Sequence, residues 1–218
     1  MDKRKVPFVQ KEYYHIFNRG TDKRDIFMDK YDVFRFLQSM KEFNNVEAGN
    51  DIFLINKSKK VGRSTSNNNK KLVNIICYCL NPNHYHFILE QLVDGGISEF
   101  MRRLGSGYTK YFNEKYERSG VLFQGTFKAV HIETNKQLLH DSVYVGLNDK
   151  VHPKFKKLRK HFLDSISNRS SWEEYVNKDA KYKSCKKDII LGQFKDVGDY
   201  KKFAESSLEG IKERRYED

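Results

Sequence analysis

The stretch NPNHYHFILE at residues 81–90 determines how the rest of the sequence is interpreted. It follows an apolar run at residues 73–80 across a turn-forming Asn-Pro-Asn, and this order predicts a β-hairpin. Because side chains alternate along a strand, His84 and His86 should point to the same side, about 7 Å apart along the strand. Two imidazoles so placed can occupy adjacent positions on one metal ion. A pair of surface or core histidines is the simpler alternative.

The composition is that of a polar-surfaced globular protein. The chain has 218 residues, of which 38% are hydrophobic and 32% charged, enough for one good core. The longest apolar run, residues 75–80, is far too short to span a membrane. The opening MDKRKVP has no apolar region behind its basic residues, so we expect no secretory signal. Three cysteines are too few for a disulfide scaffold, which favours the cytoplasm.

The charge balance favours a polyanionic partner. Forty-one basic and 29 acidic side chains give a net charge of +12, with a pI near 9.4, and such an excess is typical of nucleic-acid binding. Residues 57–71 and residues 150–160 each carry six basic residues and no acidic one. Two solvated basic loops are the alternative.

Hydrophobic periodicity predicts alternating strands and helices. We expect a strand at residues 12–18, a hairpin at 73–91, and one or two strands at 121–133 with a break at Gly125. Helices are expected at 29–43, 98–112, 135–147 and 199–213. Asp29 is the expected N-cap of the first helix and Ser98 that of the second. Residues 44–72, rich in Asn, Lys and Ser, are expected to form a mobile insert. The hairpin makes part of the sheet antiparallel, so the fold class is α+β.

The helix at residues 135–147 offers a nucleophile and a further ligand. Tyr144 and Asn148 are four residues apart and are expected to stack on one helix face. The amide oxygen of Asn148 could be a third metal ligand, with the phenol of Tyr144 close to the ion. A phenol ionises near pH 10 and is weakly nucleophilic at neutrality, but a metal-polarised phosphate reduces the need for full ionisation. Attack on a phosphodiester would give a phosphotyrosine and a free 3′-hydroxyl, a transesterification.

Four segments in consistent order carry a resemblance: YHIFNRG at 14–20, YCLNPNHYH at 78–86, GVLFQGTFK at 120–128, and Tyr144 with Asn148. Across residues 12–152 the chain resembles the single-tyrosine HUH transposases, and it is most similar to the REP-associated tyrosine transposases. The resemblance implies a ferredoxin-like α+β HUH-endonuclease domain, a divalent metal, and cleavage of single-stranded DNA next to a hairpin.

The resemblance also implies roles for individual residues. His84, His86 and Asn148 match the metal ligands of the family, and Tyr144 matches its nucleophile. Imidazole ligands suit Mn²⁺, while Mg²⁺ prefers oxygen, so we expect Mn²⁺ or Mg²⁺ with manganese bound better.

One segment departs from the family pattern, which commonly reads Tyr-Ile-His-Leu-Asn-Pro where this chain has YVGLND at 144–149. Gly146 weakens a helix interior by about 1 kcal/mol relative to Ala. Asp149 removes a helix stop and adds a competing carboxylate. Both changes are expected to disturb Asn148 more than Tyr144. A catalytically impaired, regulatory DNA-binding protein of the same fold is therefore the alternative function.

Two other site assignments stay open at this stage. Tyr108, Tyr111 and Tyr116 are rival nucleophiles, although the first two fall at positions typical of a core. Cys77 and Cys79 beside the two histidines would suit a structural zinc site.

The remaining expectations concern partners and organisation. Single-stranded or hairpin DNA is the expected partner, held by cationic grooves, aromatic stacking and phosphate contacts. The candidate DNA-binding residues are Arg19, Lys23, Arg24, Arg102, Arg103, Lys110 and Lys128. We expect a transposase domain at residues 1–152, a helical basic C-terminal extension at 153–218, and a cytoplasmic, nucleoid-associated location. No membrane contact is expected, and a homodimer is compatible with the family.

Overall fold

The computed structural model describes residues 7–47, 52, 70–151, 166–180 and 182–216. A four-stranded sheet, in the order β2-β3-β1-β4, lies at its centre, and neighbouring strands are antiparallel throughout. The strands are β1 (Tyr13–Arg19), β2 (Val73–Asn81), β3 (His84–Gln91) and β4 (Lys128–Ile132). The predicted α+β class with an antiparallel sheet is confirmed.

Helices connect and cover these strands. In chain order they are α1 (Lys30–Glu42), α2 (Gly96–Lys115), α3 (Asn135–Gly146), α4 (Asn148–Val151), α5 (Trp172–Val176), α6 (Asp188–Leu191) and α7 (Val197–Tyr216). Short 3₁₀ turns occur at Thr21–Lys23 and Ser167–Arg169. The order β1-α1-β2-β3-α2-β4 is the ferredoxin-like arrangement predicted above. No helix in the described ranges is long and apolar enough to span a membrane.

The first face of the sheet is packed against α1 and α2. The Asp29 side chain accepts from the backbone N–H groups of Tyr31 and Asp32, so Asp29 is the N-cap of α1 as predicted. The Asp32 side chain accepts from the backbone N–H of Asp29, which completes a capping box. The buried residues between the helices and this face include Phe36, Met40, Phe100, Leu104, Tyr85, Phe87 and Leu89. Because β3 alternates, the even-numbered His84, His86 and Ile88 are left on the second face.

The second face is covered by α3 and by segments from the C-terminal part of the chain. Ile88 packs there with Leu138 and Val145 of α3 and with Tyr175 and Tyr200. A further cluster joins α3 and α4 to α7 through Val143, Leu147, Val151, Ala204 and Leu208. The described part of the C-terminal extension is thus helical and packs on the helix that carries Tyr144. The predicted boundary at residues 152/153 borders residues outside the described ranges and stays a prediction.

The predicted insert is described only at its two ends and at residue 52. Asn44 joins those ends, because its amide oxygen accepts from the backbone of Leu72 and Val73 and its nitrogen donates to the Val73 carbonyl. The prediction that residues 44–72 are mobile otherwise falls outside the described residues.

Three element boundaries differ from the sequence-based predictions. The Ser98 cap is wrong, since α2 begins at Gly96 after Gly95, whose φ of +66° suits glycine. Within the segment predicted at 121–133, the strand is formed only at Lys128–Ile132. The break predicted at Gly125 is confirmed, and the φ of that glycine is +67°. The predicted helix at 135–147 ends at Gly146.

Candidate active site

The two histidines lie where β3 begins, on the face opposite the α1–α2 core. Their ring centroids are 5.1 Å apart. In the sheet register, His84 is opposite Arg19 and His86 is opposite Phe17. The prediction that both imidazoles share one face is therefore confirmed.

Hydrogen bonds orient the His84 ring. Its Nδ1 lies 2.7 Å from the amide oxygen of Asn83, and the Asn83 nitrogen donates to the Lys23 carbonyl. An amide oxygen only accepts, so Nδ1 of His84 carries the hydrogen and Nε2 carries the lone pair. That Nε2 lies 3.3 Å from Oδ1 of Asn148.

The His86 ring is held by a third histidine. Its Nδ1 lies 2.9 Å from Nε2 of His15. Burial lowers the pKa of His15 to about 4, so His15 is neutral near pH 7 and its Nε2 can accept from His86. When His86 donates this bond, its Nε2 lone pair points away from His15, the arrangement that metal-binding histidines adopt with an outer partner. His15 is not among the site residues predicted from the sequence.

Asn148 reaches the site from the start of α4, after a break in the helix at Leu147. Its side chain is fully buried, and Oδ1 accepts a 2.8 Å bond from Nδ2 of Asn81. Within the described part of the chain, the buried Nδ2 of Asn148 has no hydrogen-bond partner. The predicted closeness of Asn148 to His84 is confirmed, although a broken helix rather than a continuous one produces it.

With glycine at 146 and aspartate at 149, Oδ1 of Asn148 lies 3.3 Å from His84 Nε2. The carboxylate of Asp149 pairs with Arg169 at 2.7 Å, with both side chains largely buried, so it is held by the C-terminal segment. A Cβ added to Gly146 would meet Ser171 Oγ at 3.9 Å, an ordinary contact. Gly146 is the last residue of α3, where a glycine interrupts no further helical turn.

Tyr144 stands beside the histidines. Its ring centroid is 5.8 Å from that of His86 and 5.9 Å from that of His15, edge-on in both cases. The side chain is half-buried. A phenol, two imidazoles and an amide oxygen therefore converge on the second face of the sheet.

The rival tyrosines lie in the α1–α2 layer. Tyr108 donates to the Ile26 carbonyl, while Tyr111 and Tyr116 donate to the buried carboxylate of Asp32. Burial, together with Asp32, raises the pKa of Tyr116 to about 12. All three phenols donate hydrogen bonds within the layer opposite the histidines, which contradicts their assignment as nucleophiles.

The structural zinc alternative is also contradicted. Cys79 is opposite His86, but Cys77 is opposite Ile88, and burial raises the pKa of both thiols. In the described ranges no group of three His, Cys, Asp or Glu side chains is placed to hold a metal ion. A divalent ion would instead use the two imidazoles and the Asn148 amide oxygen, a donor set that fits Mn²⁺.

Four of the predicted DNA-binding cations lie near the site. Arg19, Lys23 and Arg24 are at the end of β1 and in the turn after it, and the Arg19 guanidinium bonds to Gln124. Lys128 of β4 is exposed and opposite Phe17, which is itself opposite His86. Residues paired across antiparallel strands share a face, so Lys128 and the histidines are on the same side of the sheet.

The cations of α2 lie on the other side of the sheet. Arg103 is 7% exposed and bonds to Glu99 and to the Asn45 carbonyl, so the prediction that it contacts DNA is wrong. Arg102 is exposed but also pairs with Glu99 at 2.7 Å. For Arg102 and Lys110, a DNA contact stays a prediction. Both residues lie on the side of the sheet opposite the histidines.

Two comparisons with known proteins gave a match. Residues 54–145, which include both histidines and Tyr144, match the family model of IS200-like transposases. A solved structure of a REP-associated tyrosine transposase bound to a REP hairpin is 14% identical, with a TM-score of 0.50 over 87% of this chain and 93% of that one. No curated protein matches. The predicted resemblance and the predicted fold are confirmed.

Proposed function

We propose that this chain, similar to the IS200-like transposases, is a DNA-cleaving transposase that nicks and rejoins single-stranded DNA near hairpin repeats. Tyr144 is the nucleophile, and His84, His86 and Asn148 hold a divalent ion, Mn²⁺ or Mg²⁺. The observation that carries this proposal is the placement of the Tyr144 ring 5.8 Å from the His86 ring. The Nδ1 atoms of His84 and His86 already have hydrogen-bond partners.

The chemistry follows from the groups present. Tyr144 Oη forms a bond to phosphorus, the 3′-oxygen leaves with its electron pair and becomes a hydroxyl, and the phenol proton passes to solvent. The phosphotyrosine conserves the energy of the diester, so a 3′-hydroxyl can reverse the step and join the strands. A bound divalent ion would stabilise the charge that develops on the phosphate oxygens. Asn83 and His15 hold the imidazoles in the tautomers that present Nε2.

The DNA path is proposed from the cations on the histidine face. Arg19 and Lys128 flank the partly exposed Phe17, whose ring is 5.7 Å from His86. Cations next to an exposed aromatic ring suit a single strand, with phosphates on the cations and a base on the ring. The similar structure is bound to a hairpin, which supports hairpin DNA as the partner. Because Tyr144 meets His86 of its own chain, a homodimer is not needed to complete the site.

A covalent-adduct assay tests the proposal. A hairpin oligonucleotide with a single-stranded flank is incubated with Mn²⁺ and the full-length protein, and adducts that survive denaturation are resolved on a gel. We expect an adduct that Tyr144→Phe abolishes and that Tyr111→Phe, a phenol removed from the other face, retains. An adduct that persists in Tyr144→Phe would overturn the assignment. Tight hairpin binding without any wild-type adduct would favour the regulatory alternative.

A further inference from the structure

A second asparagine, Asn81, lies between the two groups proposed to bind the metal. It is the last residue of β2, it is paired with His84 in the sheet, and it is 4% exposed. Its Nδ2 lies 3.0 Å from Nε2 of His84 and donates a 2.8 Å bond to Oδ1 of Asn148. No role in a site was predicted for Asn81 from the sequence.

The amide nitrogen of Asn81 donates to the two atoms that would bind a cation. Since Nδ1 of His84 carries the hydrogen, its Nε2 accepts from Asn81, as does Oδ1 of Asn148. One NH₂ group thus satisfies both lone pairs that would face an ion. These two acceptor atoms are 3.3 Å apart, close to the roughly 3 Å between adjacent ligands of an octahedral ion with bonds of about 2.1 Å.

A cation cannot enter while two N–H groups point at its ligands, so the Asn81 amide has to turn. A carboxamide keeps nearly the same shape when its two ends are exchanged. The Oδ1 end now faces the Cys79 thiol at 3.9 Å, a weak contact that is lost at little cost. Turned about, Oδ1 would lie beside His84 Nε2 and Asn148 Oδ1, and amide oxygens are good ligands for Mn²⁺ and Mg²⁺.

We propose that Asn81 is a fourth protein ligand, whose carboxamide caps the site through Nδ2 without metal and binds the ion through Oδ1. This inference rests on the proposed function, because it assumes that His84 and Asn148 hold a divalent ion. It gives the site two imidazoles and two amide oxygens and leaves the remaining positions to water and phosphate.

The test measures Mn²⁺ affinity by titrating the full-length, DNA-free protein and following free Mn²⁺ by electron paramagnetic resonance. We expect Asn81→Ala to raise the Kd by about tenfold or more. Asn81→Leu, which keeps the shape but has no ligand atom, should do the same if Asn81→Ala fails to fold. Asn81→Asp, which replaces the NH₂ with oxygen, should lower the Kd. Asn74→Ala, a change at the other end of β2, is the matched control and should have no effect.

The outcomes separate this inference from the proposed function. If His84→Ala abolishes Mn²⁺ binding while the Asn81→Ala and Asn81→Leu proteins bind as tightly as wild type or more tightly, Asn81 is only a cap and the fourth-ligand inference fails alone. If the wild type does not bind Mn²⁺, or His84→Ala leaves binding unchanged, the metal site of the proposed function fails as well.

Discussion

The two faces of β3 differ most at the start of the strand, where the second face carries two histidines before the apolar Ile88. On the first face, Tyr85, Phe87 and Leu89 are at most 2% exposed and pack among the aromatic rings of α1 and α2. On the second, His84 and His86 meet polar side chains from β1, β2 and α4. The strict alternation of a strand lets eight residues build the core and the site at once. Substitutions on the two faces should therefore affect different measurable properties.

Polar groups are not confined to the second face, but they act differently on the first. The buried Asp32 carboxylate accepts from Lys115, Tyr111 and Tyr116 and so joins α1 to α2. Two phenols beside a carboxylate are held as hydrogen-bond donors. Tyr144, in contrast, is edge-on to two imidazoles. The neighbours of a phenol, rather than its burial alone, separate a structural tyrosine from a candidate nucleophile.

The largest expected loss of stability comes from a substitution on the first face of β3. Phe87→Ala should lower the free energy of unfolding by about 3–5 kcal/mol, because it leaves a cavity among packed rings. His86→Ala should cost only about 1 kcal/mol, the bond to His15, while it abolishes Mn²⁺ binding. Urea unfolding of both proteins provides the comparison. Equal losses of stability would mean that His86 contributes as much to the packing of the core as Phe87 does.

The Asp32 network gives the next effect. Asp32→Ala should lower the free energy of unfolding by about 3 kcal/mol, since Lys115 and two phenols lose a buried partner. Mn²⁺ affinity should not change, because this network is on the opposite side of the sheet from the histidines. A loss of Mn²⁺ binding in a folded Asp32→Ala protein would show that the two faces are coupled.

Local patterns were sufficient to predict much of this architecture from the sequence. The Asn-Pro-Asn turn, the alternation of β3 and the cap at Asp29 each depend on residues within about five positions of each other. The break at Leu147 was not predicted, although Gly146 was recognised as weak for a helix. That break sets the distance of Asn148 from His84. The closeness of these two residues was therefore predicted correctly, although the continuous helix from which it was predicted does not exist.

Contacts between distant parts of the chain were beyond such patterns. His15 meets His86 only because β1 pairs with β3, 71 positions along the chain. Asn81 faces Asn148 only because α3 crosses the sheet. Arg103 was predicted to be a surface cation. Its burial was not predictable from its own helix, because the carbonyl group that it contacts belongs to Asn45, at the start of the insert. Charge and periodicity give the kind of residue, whereas its partners depend on the tertiary fold.

The contact of His15 with His86 yields a prediction of intermediate size. His15→Leu should weaken Mn²⁺ binding about tenfold or more, as loss of an outer partner does in metal sites. His15→Gln, whose amide oxygen can stand near the position of Nε2 and accept from His86, should restore most of the affinity. Mn²⁺ titration of both folded proteins is the measurement. Similar weakening in both would mean that His15 acts by filling space rather than by accepting a hydrogen bond.

The smallest effects are expected from single surface cations, and they test which face DNA follows. Lys128→Ala should reduce single-strand affinity several-fold and lower the slope of log affinity against log salt by about 0.7, the contribution of one phosphate contact. Lys110→Ala, the same change on α2, should leave both unchanged, because that helix covers the opposite face. Fluorescence anisotropy at several salt concentrations measures both variants. If Lys110→Ala lowers the slope as much as Lys128→Ala, the DNA contacts both faces of the sheet. The two faces would then differ in their part in the chemistry but not in DNA binding.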